Sequence, residues 1–159
     1  MRRLLLAAVL AAAPLAASVP VALAHEADRY TVLFCTGDIA ACEKQRAEFR
    51  QLVKSAYRND LNAQRAVARA LWRGTPVVPP QWQDGCAWHM TITALRPKGL
   101  TEADFENMKV SCSLLREDQI ALARNEAQRI GHRILAGGKI DESVSPPPSK
   151  RLDATAEPL

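Results

Sequence analysis

The stretch whose reading decides the fold is AQRAVARALWRGTPVVPPQWQDGCAWHMTITAL, residues 63–95. Ala63, Ala66, Val67, Ala70 and Leu71 recur at helical spacing, which predicts a helix with one small, apolar stripe. Gly74 ends that helix where a left-handed residue is required, and Pro76, Pro79 and Pro80 forbid its continuation. A second helix opens near Asp84 and runs to Leu95. The alanines permit close approach of the two helices, and Trp88 has the size to plug the space between them. The pattern is that of an antiparallel helical hairpin, which specifies a scaffold better than a reaction.

Working toward the N-terminus, Asn59-Asp60 reads as a junction and cap for a helix over residues 61–73. Before it, a longer helix is expected over residues 39–58, with Cys42, Phe49, Leu52, Val53, Ala56 and Tyr57 on its buried stripe. Gly37-Asp38 supplies the break and N-cap that start it. The β-branched and aromatic YTVLF, residues 30–34, has no convincing strand to pair with and is expected as an apolar arm packed on helices.

Toward the C-terminus, Pro97 and Gly99 break the hairpin's second helix, and Thr101 opens a short helix reaching Met108. Glu102, Asp104 and Glu106 alternate on it and read as a solvated face. Residues 109–113 are expected to be irregular or extended, with Ser113 capping a last helix whose Glu117 and Asp118 oppose the helix dipole. Ile120, Ala123, Ala127, Ile130 and Ile134 step by three and four, a strongly amphipathic pattern that ends at Gly137-Gly138. The expectation is an all-α, repeat-like domain of four to five helices over residues 25–138. Residues 139–159, with three consecutive prolines and few large apolar groups, form an expected disordered tail.

Arg2 and Arg3, an uncharged Leu/Ala run and Ala22-Leu23-Ala24 describe a secretory signal peptide over residues 1–24. An uncleaved anchor is the rival reading, weakened by Pro14, Pro20 and the alanine content. Removing the two leader arginines from the twenty-one basic residues leaves nineteen against seventeen acidic ones, too balanced for a global nucleic-acid footprint. Cys35, Cys42, Cys86 and Cys112 all lie in the exported part, so two disulfides are expected, and spacing favours Cys35–Cys42 with Cys86–Cys112. No Cys-x-x-Cys pair supports zinc. Localisation is therefore expected to be periplasmic or secreted.

Between Glu43 and Arg73, eight basic residues face three acidic ones. Arg46, Arg50, Lys54 and Arg58 lie four apart on one helix, and Arg65, Arg69 and Arg73 repeat the habit on the next. A solvated face is the plain explanation. The functional one is a docking strip for an acidic protein partner, with weak contact to an anionic membrane surface also open. No aromatic residues interleave on that face, so the stacking argument for nucleic acid fails.

No P-loop, dinucleotide fingerprint, HExxH or GxSxG occurs, and no catalytic or cofactor-binding residues are assigned. His89 and His132 read as isolated structural histidines. Cleavage after Ala24 would leave the α-amine and imidazole of His25 as a chelating pair suited to Cu(II), so copper binding is the alternative function. A secreted helical hydrolase or effector with an unrecognised site stands behind it.

Ala63-Gln64, Val67-Ala68, Leu71-Trp72, Gly74, Val77 and Ala87-Trp88 stand in an order that resembles a degenerate Sel-one-like repeat, a relative of the tetratricopeptide helical repeats. Residues 113–130, SLLREDQIALARNEAQRI, are similar to the closing helix that often follows the last such repeat. The sequence departs from the family pattern at Ala68, at Pro76 and in the inserted residues 78–83, and one repeat is visible. The resemblance implies a non-catalytic interaction scaffold whose partner is another envelope or secreted protein.

Overall fold

The structure, a computed structural model, describes residues 26–137; the expected leader, His25 and the expected tail at 139–159 lie outside the described residues. A 3₁₀ turn, Glu26–Tyr30, precedes five helices: α1 Ile39–Tyr57, α2 Leu61–Arg73, α3 Trp82–Leu95, α4 Glu102–Cys112 and α5 Glu117–Leu135. The fold is all-α, with no strand among the described residues. No described helix is long and apolar enough to cross a membrane.

Carboxylate caps set the first two helix starts. Asp38 accepts a hydrogen bond from the Ala41 N–H at 3.0 Å. Asp60 accepts from Asn62 at 2.9 Å and Ala63 at 3.1 Å. Gly74, at φ 80°, ends α2, and its N–H donates to the Ala70 carbonyl at 2.8 Å. A Cβ here would also lie 2.8 Å from the Pro80 ring, so conformation and space both require glycine.

The proline loop doubles as an anchor for the segment that follows the 3₁₀ turn. Val32 N–H donates to the Val77 carbonyl at 2.9 Å, and the Gln81 side chain donates to the Tyr30 carbonyl at 2.8 Å. Tyr30 is fully buried, edge-on to Phe49 with ring centroids 6.4 Å apart. The segment expected as an apolar arm is therefore a 3₁₀ turn through Tyr30, followed by an irregular strap.

Helix α3 is central, packing against α2, α4 and α5. Gly85, Cys86, Ala87, Trp88, His89, Thr91, Ile92 and Thr93 are all buried, so this helix has almost no solvent face. The hydroxyls of Thr91 and Thr93 donate back to the Ala87 and His89 carbonyls at 2.9 and 3.2 Å, which satisfies them inside the core. Trp88 is fully buried with its ring 5.2 Å from Tyr57, filling the wedge between the hairpin and α1. The closest approach of the hairpin is made by Gly85 as well as by the α2 alanines. A Cβ on Gly85 would sit 3.0 Å from the Trp72 nitrogen and 3.1 Å from its Cα.

Both disulfides pair as the spacing predicts: Cys35–Cys42 with Cα atoms 5.8 Å apart, and Cys86–Cys112 at 5.0 Å. They are compatible with an oxidising compartment. The second spans 26 residues and joins α3 to the end of α4. Closing a loop of that length stabilises by about 3–4 kcal/mol in the chain-entropy account.

The structure corrects two helix boundaries. Residues 109–113 are not irregular, because α4 continues to Cys112 with Ser111 buried against the core. Ser113 is the C-cap of α4 rather than the N-cap of α5; its N–H donates to the Lys109 carbonyl at 3.0 Å and its hydroxyl to that of Val110 at 2.9 Å. The N-cap of α5 is Arg116, whose N–H is taken by the Gln119 side chain at 3.0 Å.

Candidate functional site

The seven basic residues of the expected strip fall into two rows that face different neighbours. On α1, Arg46 pairs with Glu43 at 3.0 Å and Arg50 with Asp28 of the 3₁₀ turn at 2.7 Å. Lys54 and Arg58 are exposed and make no ion pair among the described residues. On α2, Arg65 reaches across to α4, where its Nε and Nη2 hold the two Asp104 oxygens at 2.7 and 2.6 Å. The same Nη2 donates to the Gly99 carbonyl at 2.9 Å. Arg69 and Arg73 are exposed, and neither makes an ion pair among the described residues. The Arg73 guanidinium lies 5.4 Å above the ring of Trp72, which lines the same space, so an aromatic side chain does stand among the α2 arginines, contrary to the expectation from the sequence.

These α2 side chains form one wall of a cleft of about 270 Å³. The opposite wall is the start of α4, with Thr101, Asp104 and Asn107, and His89 of α3 lines the space between them. Asp104 corrects the expected solvated face of α4: it is 3% exposed and fully engaged. Beyond Arg65, it accepts from the Thr101 N–H at 2.8 Å and the Thr101 hydroxyl at 3.1 Å, capping the helix it belongs to. The hydrogen bonds from Arg65, aided by Thr101 and opposed by burial, hold its carboxyl down at about 2. Asp104 is thus an anion throughout the working pH range.

His89 is 6% exposed, and its Nδ1 is buried without a hydrogen-bond partner. Burial, with a smaller contribution from Arg69 and against the pull of Asp104, lowers it to about 4. At neutral pH the cleft therefore contains a neutral imidazole, one ion pair and two uncompensated guanidiniums. That arrangement can receive an anion.

A second charged cluster, which sequence reasoning did not find, ties the 3₁₀ turn to α3 and α5. Glu26 lies 3.1 Å from Arg129 and 2.7 Å from Arg133, and accepts from the Tyr57 hydroxyl at 3.2 Å. Arg29 bridges Asp84 at 3.0 Å and Glu126 at 2.6 Å, and Arg129 also pairs with Glu126. Burial pushes the Glu26 carboxyl up, but the Arg133 hydrogen bond and the charges of Arg129 and Arg29 outweigh it and leave it below the usual range. Asp84 goes the other way: burial raises it more than Arg29 lowers it. The one signal available in the sequence was Arg129 and Arg133, four apart on α5; their partners at residue 26 are more than a hundred positions away.

Of the histidines, His132 is exposed near the end of α5, and His25 lies outside the described residues. Among the described residues, no three of His, Cys, Asp and Glu gather as a metal-ligand set. Comparison of the chain with protein-family models, curated proteins and solved structures returns no match.

Proposed function

We propose that this chain is an exported, non-catalytic protein-interaction module, built on a single α/α unit akin to the Sel-one-like repeats and braced by flanking helices. The observation that carries the reading is the α2–α4 cleft, where Arg69 and Arg73 stand uncompensated on elements held by the Arg65–Asp104 pair and the Cys86–Cys112 bridge. A fixed surplus of one charge sign steers and orients an oppositely charged partner. Leu33 and Phe34, 81% and 82% exposed beside the Cys35–Cys42 loop, offer apolar contact area elsewhere on the surface. Two disulfides and the leader-like first 24 residues support export.

The test is affinity capture by the processed full-length chain from an envelope fraction at low and raised salt. Each captured protein is identified and then re-bound in purified form. The module reading expects at least one purified partner that binds directly and loses affinity as salt rises. Recovery of no direct binder at either salt would sink it.

A further inference from the structure

The cleft's chemistry narrows what a partner must present. Its free donors are two guanidinium forks, one of them stacked on Trp72 and so partly ordered before anything binds. The chain's own acids do not fill it. Glu106 is turned to Lys109 at 2.7 Å, and the charge of the exposed Glu102 also acts on Lys109. His89 brings a ring that stays neutral at pH 7 and carries a single N–H, so it can donate to an anion without adding charge.

The ionised Asp104 stands in the opposite wall, and a doubly charged phosphate would face it at close range. A single carboxylate suffers less from that neighbour and matches the planar fork of arginine. The volume, about 270 Å³, suits a group the size of one side chain. Capture of a chain's C-terminal carboxylate typically uses a nest of backbone N–H groups, whereas the donors here are side chains.

We propose that the α2–α4 cleft is a carboxylate site that seats one acidic side chain, Asp or Glu, of a protein partner, with Arg69 and Arg73 as its principal donors. The assignment of the partner rests on the interaction-module reading; the carboxylate site itself does not.

The test uses the processed full-length chain with its disulfides intact, titrated with four small probes and followed through the NMR signals of the Trp72 indole and His89 ring. The probes are N-acetyl-glutamate N-methylamide, its glutamine counterpart, acetyl-dialanine with a free C-terminus, and inorganic phosphate. The glutamate probe is expected to shift both signals saturably with Kd of about 1–10 mM, as suits a single charge-assisted contact. The glutamine probe should leave them still. Arg69→Gln and Arg73→Gln should each weaken the glutamate probe by about fivefold or more, with Arg58→Gln, outside the cleft, unchanged.

Phosphate or acetyl-dialanine binding as well as the glutamate probe would overturn the proposal. So would equal weakening by Arg58→Gln, which would mean a diffuse field, or the absence of shifts up to about 100 mM. A purified partner whose affinity ignores Arg69→Glu and Arg73→Glu, with no glutamate binding, would end this inference and leave the module standing. Glutamate binding without any direct protein partner would keep the carboxylate site and end the module reading.

Discussion

Two arginine-rich regions of this molecule have similar raw material and opposite balances. Around the 3₁₀ turn, Arg29, Arg50, Arg129 and Arg133 meet Glu26, Asp28, Asp84 and Glu126, and the charges close on one another. Between α2 and α4, Arg65, Arg69 and Arg73 meet Asp104 alone. The first region holds the 3₁₀ turn against α1, α3 and α5, where a matched set of charges fixes geometry. The second keeps a surplus. Arginine count therefore says little about binding until the acids that reach each arginine are known.

The contrast can be broken most forcefully at its covalent support. Replacing Cys86 and Cys112 together by alanine should lower unfolding free energy by about 3–4 kcal/mol, read by calorimetry, and should also weaken glutamate-probe binding because α4 loses its tie. An unchanged probe affinity in the folded double variant would show that the cleft does not need that tie.

Acid separates the two regions next. The folded-state value of His89, about 4, lies below its ordinary 6.5, so the unfolded chain binds the extra proton first. Stability is complete above pH 6.5 and falls as pH drops toward 4, by up to about 3 kcal/mol, and His89→Gln should flatten that slope. Glu26 is depressed, so its contribution is present above the ordinary carboxylate range and is lost only at lower pH, as the folded carboxyl titrates. Denaturant midpoints measured from about pH 7 down to about pH 2 should fall first through the His89 range, a decline that His89→Gln removes, and again below the ordinary carboxylate range as Glu26 titrates.

Glu26→Gln keeps the shape of the side chain but removes the charge shared by Arg129 and Arg133. Since Glu26 is only partly buried, a loss of about 2 kcal/mol is expected in urea unfolding, with no effect on the glutamate probe. The smallest effect belongs to the surplus cations: Arg69→Gln and Arg73→Gln together should move stability by less than about 0.5 kcal/mol while impairing the probe. A large stability loss there would mean that these arginines are structural after all.

Much of the scaffold was legible because its signals are local. Asp60 and Gly74 bound α2 at Leu61–Arg73 as the sequence predicts, and cysteine spacing picked the observed pairing. Helix α4 was misjudged at its end because Lys109 to Ser113 has no clear period; the bridge at Cys112 and the burial of Ser111 carry the helix on. The site was only half visible. The row of α2 arginines could be read from spacing, but which of them is free depends on Asp104, 39 residues from Arg65. The role of His89 depends on its burial beside Arg69 of α2 and Asp104 of α4, which no local pattern reports.

The narrow waist of the hairpin at Gly85 bears on how such a site can change. A Cβ at position 85 would press on the Trp72 backbone from 3.0 Å, and the indole of the same residue is the shelf on which Arg73 rests. One added methyl in the interior would thus be felt at the rim as a displaced indole and a re-aimed cation. Retuning this cleft is therefore easiest from its outer residues, such as Arg69 and Asn107, which can be exchanged without levering the two helices apart.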